Sequence, residues 1–185
     1  VFNRILNDIH SIHLTKLLKS KNKINAEYQI LIEGDPSFIT VGENFTIRKG
    51  TWIGVYNQYM SRNFNPKLII GDNVHINFNS HIACINEIEI GDNTLIASRV
   101  LITDHYHGNT DIDSLDITPK ERELISPGKV IIGKNVLIGE NVSILPNVII
   151  GNSAVIGANS VVTKDIPPYG VYAGNPAKNV KNKRI

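Results

Sequence analysis

Two imidazoles and a carboxylate fall within four residues in Thr103-Asp104-His105-Tyr106-His107-Gly108. Imidazole titrates near neutral pH, so either ring can take a proton from a weak nucleophile such as a hydroxyl, and Asp104 can orient one of the two. His10 and His13 lie in a stretch with helical spacing, while His75 and His81 are single polar residues in regular segments, so all four read as structural. The one cysteine, Cys84, can form neither an internal disulfide nor a Cys-based zinc site, which fits a reducing compartment such as the cytoplasm. It sits inside a regular aliphatic segment and reads as core rather than nucleophile.

What positions these groups is a repeat of six. Aliphatic residues recur at Ile132, Ile138, Ile144, Ile150, Ile156 and Val162, and a second set of small or branched residues follows four places on, at Val136, Val142, Val148, Ala154, Ser160 and Ile166. The same frame holds at Ile90, Ile96 and Ile102, and further groups stand at Ile70, Ile76, Ile82 and Ile88, and at Val41, Ile47 and Ile53. A period of six is neither the 3.6 of a helix nor the 2 of a two-faced strand; it suits a short strand plus a corner, repeated. Three such sides make a triangular coil of roughly 18 residues whose neighbours stack about 4.8 Å apart. The turns are spelled Gly42-Glu43-Asn44, Gly71-Asp72-Asn73, Gly91-Asp92-Asn93, Gly133-Lys134-Asn135 and Gly139-Glu140-Asn141, and Gly and Asn both tolerate left-handed backbone. The expected fold is all-β, a solenoid of parallel strands.

Residues 54–68 and 103–131 leave the repeat as insertions. They hold Tyr56, Tyr59, Phe64 and Tyr106, and aromatic faces of this kind suit sugar rings. The second insertion is long enough to reach a neighbouring subunit. Residues 2–19 place Phe2, Ile5, Ile9, Ile12 and Leu17 near helical spacing, which predicts an amphipathic helix whose apolar side covers an open end of the solenoid. The expected organisation is a helical capping segment over 1–38, the coil over 39–178 and a basic tail over 179–185. The 19 Lys and Arg against 17 Asp and Glu give a net charge of +2, too little for a nucleic-acid surface. No apolar run approaches the roughly 20 residues that span a bilayer, and Val1-Phe2-Asn3-Arg4 does not open a secretory leader, so membrane association is not expected.

The hexads, of the form aliphatic-Gly-x-x-small-x, resemble those of the hexapeptide-repeat acyltransferases, whose fold is a left-handed parallel β-helix. The run from Ile156-Gly-Ala-Asn-Ser-Val-Val-Thr-Lys through Asn175-Pro-Ala-Lys178 is similar to the last coils of galactoside and maltose O-acetyltransferases. A second block, from Asn77-Phe78-Asn79 to His107, resembles the coil of those enzymes that ends in their catalytic histidine. Together the likeness covers about residues 39–178. It implies transfer of an acetyl group from acetyl-CoA to a hydroxyl, with no metal required, in a homotrimer with active sites between subunits.

The resemblance places the general base at His107, with His105 as the alternative, and Asn79 near the acceptor or the developing oxyanion. It carries acetyl-CoA contacts over to Ala158, Thr163 and Lys164. Lys178, with Lys181, Lys183 and Arg184, is a further candidate for CoA phosphates. Leu137 and Glu140 depart from the pattern of the sugar acetyltransferases, and residues 1–38 lack their acceptor-binding helices. Asp-His-Tyr-His-Gly instead looks like the O-acetyltransferases of bacterial lipopolysaccharide and capsule synthesis, which implies a saccharide acceptor. Three rivals follow: N-acetylation of an amino sugar nucleotide, a carbonic-anhydrase-like zinc site on His81, His105 and His107, and a scaffold without activity.

Overall fold

The computed structural model describes residues 2–180. Helix α1 (Phe2–Leu17) leads into a left-handed parallel β-helix. Three stacks of short strands form its sides. The first side runs from Asn25–Ala26 to Val171–Ala173, with Lys178–Asn179 added antiparallel at its end. The second holds Leu31–Gly34, Trp52–Val55, His81–Cys84, Leu101–Thr103, Ser143–Ile144 and Val161–Val162, and the third runs from Ile39–Val41 to Val148–Ile150.

Register explains the period. Ile132 lies opposite Ile150, Ile138 opposite Ile156 and Ile144 opposite Val162, so one coil takes 18 residues. Both hexad positions point inward: all six anchors and all six residues four places on are buried. Each such aliphatic side chain contributes about 1.5–3 kcal/mol on leaving water. Between Ile82 and Ile102 the coil takes 20 residues, which is why the upstream anchors stand in a different phase.

Gly and Asn divide the corners between them. Asn44, Asn73, Asn93, Asn141 and Asn159 have φ between 54° and 58°, the left-handed region that Asn tolerates. Their amides stack from coil to coil, as in Asn44 Nδ2 to Asn73 Oδ1 at 2.9 Å and Asn141 Nδ2 to Asn159 Oδ1 at 3.1 Å. Gly91, by contrast, is not left-handed; a Cβ there would lie 2.6 Å from the carbonyl carbon of Gly133 in the next coil. The hexad glycines are selected by close stacking rather than by backbone conformation.

Three features differ from the sequence expectation. The coil begins upstream of residue 39, because Asn25–Ala26 and Leu31–Gly34 already pair in parallel with Thr46–Ile47 and Trp52–Val55. Its first inward residues, Ile24 and Ile30, are buried and themselves six apart. The insertions are shorter than 54–68 and 103–131, since Trp52–Val55, Lys67–Ile70, Leu101–Thr103 and Val130–Ile132 are coil strands. And α1 packs by the other side: Ile5, Ile9 and Ile12 are 53%, 60% and 50% exposed, while Ser11, Leu14 and Leu18 are buried. Ser11 fixes this choice, its hydroxyl donating to the Ala26 carbonyl at 2.9 Å and accepting from the Ala26 amide at 3.0 Å. The side chain of Phe2, along with Val1, Lys181, Lys183 and Arg184, lies outside the described residues.

Candidate active site

The strand Leu101–Thr103 ends the regular winding of its coil, and Asp104 and His105 follow at once. Asp104 is fully buried and His105 is 9% exposed. One carboxylate oxygen of Asp104 accepts from the Ile85 amide at 3.0 Å and the other from the Asn86 amide at 2.8 Å. The first oxygen also lies 2.9 Å from Nδ1 of His105. A carboxylate that already holds two backbone N–H groups accepts only, so Nδ1 carries the proton and donates it. In the neutral ring Nε2 is then the nitrogen without a proton, which is the tautomer a general base requires.

His107 stands differently. Tyr106–His107 pairs antiparallel with Leu124–Ile125, which folds the second insertion back on itself. His107 is exposed and meets the ring of Tyr59 edge-on at 5.6 Å. Partial burial, and then the nearby charge of His105, lower its pKa. The two insertions close on each other within the chain: the Tyr59 hydroxyl donates to the Lys120 carbonyl at 2.9 Å, and Arg62 pairs with Glu123 at 2.7 Å.

The remaining candidates flank the second side of the solenoid. Asn79 occupies a left-handed corner with φ 56°, in the column of corners that continues through Asn141 and Asn159. Ala158 precedes Asn159 in that column and is exposed. Thr163 and Lys164 follow Val162, which lies in register with Ile144 and Ile102. They stand on the same edge as Asp104 and His105, two strand spacings or about 10 Å along the axis. The second side separates these two columns. No hydrogen bond or ring contact links Asn79 to either imidazole among the described residues. Lys178 sits apart, exposed on the antiparallel strand at the end of the first side.

The outer surface between these edges joins His81 and Tyr56 to two residues that sequence reading passed over, Glu33 and Trp52. One outward row reads Leu31, Trp52, His81, Leu101 and the next Glu33, Gly54, Ala83, Thr103. Trp52 stacks on His81 at 4.1 Å with 9° between the planes. Burial lowers the His81 pKa, the charge of His105 lowers it further, and Glu33 opposes both. The ring of Tyr56 lies over Gly54, meets His105 edge-on at 6.5 Å and donates its hydroxyl to Glu33 at 3.2 Å. The only signal in the sequence was the period of two along each strand, which sets Glu33 and Trp52 outward once the register is known.

His81, His105 and His107 do not converge: among the described residues no group of three His, Cys, Asp or Glu side chains is arranged to hold a metal ion. Cys84 is buried in the core and its thiol is pushed up, by burial first and then by Asp104, which makes it a poor nucleophile. A groove of about 760 Å³ lies between the end of α1 and residues 39–43 and is lined by none of these groups. No described helix is long and apolar enough to cross a membrane.

A family model described as bacterial transferase hexapeptide (six repeats) matches residues 129–164. WbbJ of Escherichia coli K12, assigned by its name to O-acetyl transfer in lipopolysaccharide biosynthesis, is 39% identical over 176 residues, spanning 94% of this chain and 85% of its own. The chain belongs to the hexapeptide-repeat transferases. Among solved structures, a maltose O-acetyltransferase from Clostridium difficile 630 superposes with a TM-score of 0.60 at 30% identity, over 96% of this chain and 80% of that one. AntD, an N-acyltransferase from Bacillus cereus solved with dTDP and 3-hydroxybutyryl-CoA, superposes at 0.73 over 91% and 85%, and at 24% identity it speaks for the fold alone. This hexapeptide-repeat transferase is an acyl-transfer enzyme, and its Asp104–His105 pair stands at the break in the repeat.

Proposed function

We propose that this enzyme transfers the acetyl group of acetyl-CoA to a hydroxyl of a saccharide destined for a bacterial surface glycan, with His105 as the general base. The observation that carries the reading is the buried Asp104–His105 pair with Nε2 left free. A sugar hydroxyl is a poor nucleophile at neutral pH, so its proton must leave as its oxygen attacks the thioester carbonyl. Nε2 of His105 takes that proton while Asp104 holds Nδ1 and stabilises the imidazolium that forms. The proton then passes to the departing CoA sulfur, which restores the neutral ring. Asn79 faces the acceptor or the oxyanion, and Ala158, Thr163 and Lys164 line the path of the donor. Among the described residues neither Lys164 nor Lys178 forms an ion pair with an acidic side chain, so both ammonium groups can meet phosphate. His107 lies beside the base and shapes the acceptor site with Tyr59.

The names of WbbJ and of the maltose enzyme support hydroxyl transfer, and WbbJ supports a surface-glycan acceptor. The family's homotrimer, with sites between subunits, is part of the proposal; sedimentation equilibrium should give three times the chain mass, and a monomer would exclude a shared site. Calorimetric titration should show one acetyl-CoA per subunit. With hexosides and their amino counterparts as acceptors, CoA release should favour the hydroxyl form. Removing a general base costs about 10²–10⁴ in rate, so His105→Ala should lose about that much while His107→Ala stays within about tenfold. The reverse order would return the base to His107.

A further inference from the structure

The second side of the solenoid carries a carboxylate that no part of the reaction above uses. Glu33 is exposed, and among the described residues no Lys, Arg or His forms an ion pair with it. Yet it is held: the Tyr56 hydroxyl donates to Oε2 at 3.2 Å. Burial, then the charge of Glu33, pushes the Tyr56 hydroxyl up to about 12, so it remains a donor throughout the working pH range. The backbone is built around this contact. A Cβ on Gly54 would lie 2.4–2.6 Å from the hydroxyl and ring edge of Tyr56, so a larger residue there would displace the ring from its place beside Glu33. The same ring stands nearly perpendicular to that of His105, 6.5 Å from centre to centre, and the small residue Ala83 lies between Gly54 and Thr103 in this row.

Distance decides what such a group can touch. Three strand spacings, about 14 Å, separate the backbones of Glu33 and Thr103. Tyr56 bridges part of that gap, its ring centre 6.5 Å from that of His105 and its hydroxyl bonded to Glu33. Across a gap of this size, a second ring linked to the one whose hydroxyl meets Nε2 of His105 is carried toward Glu33. A carboxylate is an acceptor-only group that takes two neighbouring hydroxyls at once, and the flat tyrosine ring between offers the apolar face on which a sugar stacks.

We propose that Glu33, held by Tyr56, is a specificity-determining subsite that binds the sugar residue adjacent to the one acetylated, so that the acceptor is a glycan of at least two rings. This rests on the acetyl-transfer reading above. The test compares wild type and Glu33→Gln with acetyl-CoA and a panel of methyl hexosides and methyl 2-acetamidohexosides, together with disaccharides and trisaccharides built from them. CoA release gives kcat/KM, and saturation-transfer NMR reports binding. Wild type should favour the longer acceptors by about tenfold or more, the worth of one charge-assisted hydrogen bond. In Glu33→Gln the ratio of longer to single-ring acceptor should fall to about one, with acetyl-CoA affinity and melting temperature as controls for folding. Tyr56→Phe keeps the ring and should lose part of the ratio. A merely structural Glu33 would lower both rates together and leave the ratio intact. An unchanged ratio in Glu33→Gln, equal use of one and two rings by wild type, or a panel that neither binds nor reacts while acetyl-CoA binds would each overturn the subsite. Failure to bind acetyl-CoA would instead overturn the function itself.

Discussion

The coils after residue 129 and the coils before it are built from the same hexads and do different work. From Val130 to Val162 the winding is unbroken, every inward position is filled by a buried aliphatic or small residue, and the ion pairs of Lys134 with Asp92 and of Glu140 with Arg99 lie on the outer surface. Upstream, two insertions interrupt the winding, and there the chain places Asp104, His105, His81, Tyr56 and Glu33 in one neighbourhood. Regular stacking fixes the strands so firmly that a departure from it has a defined location. A carboxylate can be buried at Asp104 because the two amides it needs, those of Ile85 and Asn86, are released at the corner of the coil beneath.

That contrast is broken most severely at Asp104. In Asp104→Asn the amide oxygen stays on the Asn86 amide, so the amide nitrogen turns to Nδ1 of His105 and donates to it. The imidazole proton then moves to Nε2, and the ring can no longer accept from the substrate. Steady-state CoA release should fall by about 10²–10⁴, with acetyl-CoA binding retained; a loss of less than tenfold would show that the tautomer does not matter.

The scaffold half is tested by stability. Ile144→Ala opens a cavity in the unbroken column and should cost about 2–5 kcal/mol in denaturant unfolding. Ile112→Ala lies in the second insertion, where Ile112 is 78% exposed, and should stay within about 0.5 kcal/mol. Equal losses would mean that the insertion is packed as tightly as the column. Weaker again is the clasp between the insertions. Both Arg62 and Glu123 are more than half exposed, so a double-mutant cycle should give about 0–1 kcal/mol of coupling, diminishing with salt.

The regular half was legible because it is governed by local rules: an inward residue every sixth position, and a residue tolerant of left-handed backbone at the corner. The same rule was present but too brief to recognise at Ile24 and Ile30, where Pro36 and a short 3-10 turn follow before the next anchor. For α1 the composition pointed the wrong way, because the isoleucines that look like a packing stripe are outbid by the two hydrogen bonds of Ser11. The choice between His105 and His107 turns on contacts 18 and 19 residues away in sequence, between Asp104 and the amides of Asn86 and Ile85. Spacing along the chain carries no trace of that. Glu33 and Tyr56 were invisible as a pair for the same reason, since one comes from the segment read as a cap and the other from an insertion.

The finest difference between the halves lies in their response to acid. The unbroken coils carry no histidine, whereas the upstream coils carry His81 on the outer face of the second side with its folded-state pKa lowered, by burial first, then by His105, with Glu33 opposing. In the unfolded chain the same imidazole titrates near its ordinary value of about 6.5. As the pH falls below that value the unfolded state binds the proton first, so stability present at neutral pH is lost until the folded-state pKa is reached. His10 and His107 are displaced in the same direction, so His81 accounts for part of the slope. His81→Phe keeps the stack on Trp52 and removes the titration. Its melting temperature should therefore fall less than that of wild type between pH 7 and pH 5, and parallel curves would show that His81 is no more desolvated than an exposed histidine.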